Sequence, residues 1–184
     1  GEAFLDRLVE KGFRAAVTEY ERGAMTTESF CAEAIRLIGG EPPVTADEFA
    51  TAWSDIFWLN PPVARLIPAL RQRRHVVVLG SNTNELHARR FRVQFAETMA
   101  AFNQLVLSFE VHASKPSRRF YEACLQACGV DRPESCVFID DMMENVEGAR
   151  RVGLEAIQFV SPAQLRADLE ALGVPCPELT DDRA

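Results

Sequence analysis

No stretch of this sequence is apolar enough for long enough to cross a bilayer, and its opening residues, charged and helix-like, do not read as a signal peptide. The expectation is a cytoplasmic protein with no membrane partner. Cysteine is sparse and odd in number: Cys31, Cys124, Cys128, Cys136 and Cys176 are scattered, with no Cys-x-x-Cys pair. His75, His87 and His112 are equally dispersed, so neither a zinc site nor a disulfide framework is indicated, and reduced thiols are expected. Cys124 and Cys128 lie one helical turn apart in an amphipathic pattern and read as core or interface residues. Positive charge is also short. Against 27 acidic residues stand 20 lysines and arginines, a net charge of -7, which argues against nucleic acid as a partner. An anionic small substrate would need local cations to hold it. Repeats and low-complexity segments are absent, and oligomerisation is left open. What remains, 184 residues with 47% hydrophobic content, suffices for one good-sized domain or a core with a helical appendage.

The most informative stretch runs from Cys136 to Asn145. Val137, Phe138 and Ile139 form a short β-branched and aromatic run without polar alternation, which predicts a strand buried on both faces of a parallel sheet. It ends in Asp140 and Asp141. Burial gives no reason for two like charges there, since they repel and desolvation penalises both. A hard cation such as Mg²⁺ relieves both penalties. The plainer reading is a solvated Asp-Asp turn leading into a helix.

Taken in order, the chain is first helical, then alternating. Apolar residues recur at helical spacing from Glu2 to about Tyr20, weakened at Gly12. Thr26 or Thr27 caps a second helix, stopped by Gly39 and Gly40, and Glu41-Pro42-Pro43 reads as a linker. Thr45 with Glu48 makes a capping box for a third helix, and Asn60-Pro61 starts a fourth. Residues 1–60 therefore read as a small helical subdomain. From His75 the pattern changes. His75 to Leu79 predicts a first strand, followed by the small polar run Gly80 to Asn84 and a helix through Phe102. Leu105 to Leu107 predicts a second strand, Glu110 to Ser114 a loop, and Lys115-Pro116 the opening of a helix stopped by Gly129. The Val137 strand follows, then a helix to about Val152, a strand at Ala156 to Phe159, and a helix capped by Ser161 with Gln164. Strand–helix alternation implies an α/β core over 61–174 with parallel strands, and a loose tail over 175–184.

If the strands are parallel, three ends carrying polar residues share one edge: Ser81 and Asn82, then Lys115, then Asp140 and Asp141. That set suits phosphate: a hydroxyl and free N–H groups for phosphoryl oxygens, an ammonium to neutralise them, carboxylates for Mg²⁺. Singly, each has a bland reading. Ser81 reads as a helix cap, Lys115 as a loop lysine, Asn145 as a solvated helix residue. Only the joint placement favours a site.

Together, Leu79 to Asn84, Ser114-Lys115-Pro116, and Phe138 to Asp141 with Asn145 resemble the second, third and fourth motifs of the haloacid dehalogenase-like (HAD) superfamily. The nearest resemblance is to its small-capped phosphatases related to the amino-terminal domain of soluble epoxide hydrolase, and it extends over nearly the whole chain. It implies a Rossmann-like parallel sheet sandwiched by helices, with a small four-helix-type cap. It also implies a Mg²⁺-dependent phosphatase of a small phosphorylated metabolite. Ser81 would bind the transferring phosphoryl group with Asn82. Lys115 would orient the nucleophile and neutralise phosphate. Asp140 would hold the metal and Asp141 support its shell.

The family's first motif has no counterpart. It is an Asp-x-Asp ending the central strand, whose first aspartate attacks phosphorus; no Asp-x-Asp occurs here, and Asp6 is the one aspartate in residues 1–20. In the family that strand lies between those matching Val76–Leu79 and Val137–Ile139. Its absence leaves two unpaired edges or forces these two strands to pair directly. Either the nucleophile lies in sequence upstream of Gly1, or the chain is a non-catalytic binding or scaffold relative, or, as a less favoured third reading, another chain donates the strand.

Overall fold

A computed structural model describes residues 12–39 and 44–177. In chain order the helices and strands are α1 (Phe13–Glu21), α2 (Thr27–Ile38), α3 (Ala46–Ser54), α4 (Pro61–Gln72), β1 (Val78–Ser81), α5 (Glu85–Gln94) and α6 (Ala96–Ala100). There follow β2 (Gln104–Leu107), α7 (Ser108–Val111), α8 (Arg118–Cys128), β3 (Val137–Asp140), α9 (Met143–Arg151), β4 (Glu155–Gln158) and α10 (Pro162–Ala171). They fall into two compact units. One gathers the described residues through Phe57 with Asn82–Gln94 and Leu107–Ser114; the other holds Trp58–Ser81, Phe95–Val106 and the described chain from Lys115 onward.

The first unit is helical because its caps and apolar stripes agree. Thr26 Oγ1 accepts from the Ser29 N–H at 3.2 Å, and Thr45 with Glu48 forms the full capping box. Gly12, at φ +89°, precedes α1, so this helix begins after the predicted weak point; the stretch from Glu2 to Lys11, Gly40 and the Glu41-Pro42-Pro43 linker lie outside the described residues. Phe30 is fully buried at the centre, stacked on Tyr20 at 4.4 Å and ringed by Phe13, Phe49 and Trp53. Phe13, Tyr20 and Trp53 thus belong to one packed cluster, while Trp58 is 85% exposed.

The second unit carries the strands. β1 pairs with β2, and β3 pairs in parallel with β4, Val137 opposite Glu155 through Asp140 opposite Gln158. Among the described residues these are two separate two-stranded sheets, so the expectation of two unpaired edges is the one realised. Helix α8 covers both: a Cβ on Gly80 would come within 3.3 Å of the Phe120 ring, and Phe138 meets Tyr121 edge-on at 5.2 Å. Val137 packs elsewhere, with Leu66, Ile157, Leu165 and Leu169 from α4, β4 and α10.

Several expectations need correcting. β3 is not buried on both faces: only Asp140 is buried, and Ile139 is 37% exposed. A strand paired on one side only cannot be enclosed as a central strand is. β1 begins at Val78 rather than His75, because Asn103 captures both polar groups of Val77, its side chain accepting from Val77 N–H at 2.9 Å and its own N–H reaching Val77 O at 2.8 Å. The helix predicted through Phe102 breaks at Phe95 into α5 and α6. The loop predicted from Glu110 overlaps the short helix α7. Lys115-Pro116 precedes rather than opens α8, which starts at Arg118 after Ser117.

Candidate functional site

Asp140 ends β3 with its carboxylate almost enclosed. Oδ2 accepts from Lys115 Nζ at 2.7 Å; Oδ1 accepts from the Met142 N–H at 3.0 Å and from Asn145 Nδ2 at 2.9 Å. The same Lys115 ammonium donates to the carbonyl of Gly80 in β1 at 3.2 Å, and lies 6.0 and 5.8 Å from the ring centroids of Phe120 and Phe138. The lysine and aspartate side chains are only 11% and 5% exposed, so the pair is a buried one. Burial alone would push the Asp140 carboxyl up. The hydrogen bonds from Lys115 and Asn145, the lysine charge and the Met142 N–H outweigh it and hold the group below the usual carboxylate value.

Asn145 is placed by a second layer of contacts. It sits in the first turn of α9, buried, and its backbone carbonyl accepts from the Tyr121 hydroxyl at 2.7 Å. That hydroxyl is pushed up to about 12, first by burial and then by the nearby Asp140 charge. One turn on, Gly148 lets α9 close on α8: a Cβ there would meet Tyr121 Oη at 2.6 Å and Pro116 Cβ at 2.8 Å. The expectation that Asn145 is a solvated helix residue fails on these contacts.

The structure therefore brings Lys115, Asp140 and Asn145 together with Gly80. Ser81 is half-buried directly after Gly80 at the end of β1, and Asp141 is exposed directly after Asp140, its backbone carbonyl accepting from Gln158 Nε2 at 3.0 Å. Asn82 is exposed and opens the segment that belongs to the first unit. Missed in the sequence were Tyr121 and Gly148, which hold Asn145, and a cluster in the first unit. There Asn84, fully buried, accepts from His87 N–H at 3.0 Å, the spacing of an N-cap that could have been read ahead. His87 Nε2 donates to Trp53 O at 3.0 Å, which leaves Nδ1 to accept from Asn84 Nδ2 at 3.1 Å. Ser108 clasps Thr83, taking its N–H at 2.9 Å and donating to its carbonyl at 2.8 Å.

Among the described residues no group of three His, Cys, Asp or Glu is set to hold a metal. The donors at the β3 tip still suit Mg²⁺, which binds through one or two carboxylates and keeps its remaining positions for water and phosphate oxygens. Asp140 accepts three hydrogen bonds, and a carboxylate has about four acceptor positions. Roughly one is left, beside the exposed Asp141.

These charged groups gather at the carboxyl tip of a parallel strand, the end at which open α/β sheets take their ligands. The comparisons narrow the class. The haloacid dehalogenase-like hydrolase model matches residues 5–153, and the chain belongs to that family. A phosphatase of Mycobacterium tuberculosis (strain CDC 1551 / Oshkosh), MT3486, is 35% identical over 113 residues, 58% of this chain and 52% of its own length. The chain thus spans about half the length of that curated relative. Among solved structures, a HAD family enzyme of Bacteroides thetaiotaomicron is 25% identical with a TM-score of 0.67, covering 77% of this chain and 71% of its own. It is an aspartate-to-alanine mutant in complex with magnesium and inorganic phosphate. A HAD-like family hydrolase of Porphyromonas gingivalis, 22% identical with a TM-score of 0.69 over 85% of this chain and 78% of its own, shares the fold.

Proposed function

We propose that this chain belongs to a Mg²⁺-dependent phosphatase acting on a small phosphorylated metabolite, of the small-capped branch. Residues 1–60 would serve as its cap and 61–174 as its core. The observation that carries the reading is the buried Lys115–Asp140 pair at the β3 tip, 2.7 Å apart, with Gly80 and Ser81 of β1 beside it. A phosphatase relative and a neighbour solved with magnesium and phosphate support it. Ser81 and Asn82 bind phosphoryl oxygens in this reading, Lys115 neutralises them, and Asp140 and Asp141 hold the metal. Mg²⁺, when bound, would supply charge to the phosphoryl oxygens. Asn145 fixes the Asp140 carboxylate, and Tyr121 fixes Asn145. The nucleophile is assigned to an aspartate on a strand outside the given sequence, since no Asp-x-Asp occurs in it.

Hydrolysis of p-nitrophenyl phosphate with Mg²⁺ tests this. The chain as given should be inactive. The same chain extended by an amino-terminal apolar strand ending in Asp-x-Asp should turn over, and Lys115→Ala in that form should lower turnover at least a hundredfold. An active unextended chain, silenced by Asp140→Asn, would overturn the assignment of the nucleophile. A second reading, a non-catalytic binding relative, draws on the self-satisfied network: both Asp140 oxygens are already met by donors without any ligand. An inert extended chain that still binds inorganic phosphate would favour it.

A further inference from the structure

Three of the five cysteines are accounted for by their surroundings. Cys31 is buried in the cluster around Phe30, and Cys176 donates to the Val174 carbonyl at 3.4 Å. Cys124 is buried with its Sγ 3.1 Å from where a Cβ on Gly80 would stand. Cys128 and Cys136 differ: both are half-buried, and the Cys128 S–H donates to the Cys136 sulfur. The connection between them folds back to make that meeting. Cys128 is the last residue of α8, and Gly129, at φ +67°, turns the chain out of the helix. A single turn at Pro133–Ser135 then returns it, the Cys136 N–H donating to the Pro133 carbonyl at 3.0 Å. Cys136 leads into β3, and its own carbonyl accepts from the Glu155 N–H at 3.1 Å. Both sulfurs therefore stand on anchored backbone, on two elements that also pack through Tyr121 and Phe138. Half-exposed thiols gain little from burial; what two facing sulfurs share is reactivity.

We propose that Cys128 and Cys136 form a reversible oxidation site, which a peroxide closes as a disulfide joining the end of α8 to the start of β3. Burial first, and then the charge of Cys136, push the Cys128 thiol up to about 11, so at neutral pH it stays protonated and suits the second, resolving role. Cys136 reacts first. Its sulfur bonds to one peroxide oxygen as the O–O bond breaks, and the other oxygen leaves as hydroxide, which takes up the proton shed by Cys136. The products are water and a sulfenic acid on Cys136. The Cys128 sulfur then attacks that sulfur: the S–S bond forms, the S–O bond breaks, and the oxygen leaves with the Cys128 proton as a second water. Two thiols are oxidised and one peroxide is reduced to two waters. A small dithiol reverses the step by exchange. Cys124, enclosed and pushed up to about 12 by burial above all, takes no part.

The test treats the reduced whole chain with hydrogen peroxide, alkylates it with N-ethylmaleimide in denaturant and weighs the intact protein. Alkylated thiols should fall from five to three, with the loss of two hydrogens, and dithiothreitol should restore all five. Cleavage after Glu122 and Glu134 separates Cys136 from Cys124 and Cys128, and fragmentation of the linked peptides should place the bridge on Cys128. That mapping uses the unsubstituted chain, so it does not depend on a variant folding. Cys136→Ser should slow thiol loss at least tenfold, and Cys128→Ser should stop at a sulfenic acid that dimedone traps. No loss of thiols, a bridge to Cys124, Cys31 or Cys176, a link between two chains, or oxidation to sulfinic acid without a bridge would overturn the assignment. The phosphatase reading stands or falls separately, on turnover of p-nitrophenyl phosphate.

Discussion

At the Lys115–Asp140 pair, desolvation and pairing oppose each other, and the hydrogen bonds decide. Truncating one member of a buried pair leaves the other charge uncompensated, which costs about 3–5 kcal/mol. Lys115→Met should therefore destabilise the chain by about that much, and adding Asp140→Asn should recover a large part of it, in urea denaturation of the single and double variants. The pH dependence has a definite sign. Asp140 sits below its ordinary value when folded, so its stabilisation is complete above the ordinary aspartate value near ~3.9 and is lost as pH falls through the lower folded value. The gap between the chain and its Asp140→Asn variant should accordingly be constant near neutrality and close only in strong acid.

Among the elements, α9 is held against α8 by an absence of side chain. Alanine for glycine inside a helix usually gains about 1 kcal/mol. At Gly148 the new methyl would meet Tyr121 Oη and Pro116 Cβ well inside contact distance, and overpacking of that kind costs about 1–3 kcal/mol. The steric term wins, so Gly148→Ala should lower the melting temperature, and loosening of the Tyr121–Asn145 bond should follow. A rise in melting temperature would mean α9 shifts freely on α8. This element also marks what the sequence made legible. Helix caps at Thr26, Thr45, Asn60 and Ser161 depend on residues three apart and were readable, as were the strands around Leu105 and Val137. The role of Asn145 was not, because Tyr121 lies 24 residues away and its hydroxyl gives no local sign of where it points. The burial of β3 was misjudged for a related reason: its apolar character tells what the strand is built to meet, and not how many neighbours it has.

Across the whole molecule, mild acid weakens one unit and leaves the other unchanged. Burial holds His87 below the usual imidazole value, only partly countered by its bond to the Trp53 carbonyl. Folded His87 stays neutral while the unfolded chain takes up a proton near ~6.5, so stability is present above that value and falls as pH drops toward the lower folded one. Asp140 remains ionised throughout. Between about pH 7 and 5, hydrogen exchange should quicken in α3 and α5 around Trp53 and His87, relative to free-peptide rates, while β3 and α9 hold their protection. His87→Gln should flatten that dependence.

The cations of this chain are divided in an unusual way. Of its 20 basic residues 18 are arginine, and every exposed ion pair among those described uses one, from Arg36–Glu33 to Arg166–Glu170. Lysine occurs twice, as Lys11 and Lys115, and the second is the cation placed inside. An arginine there would bring a rigid five-donor fork; lysine brings a compact point charge on a flexible stem. Amine-directed chemistry on these 184 residues, whether acylation in the laboratory or acetylation in a cell, consequently has two side-chain targets, and one of them is the candidate site itself.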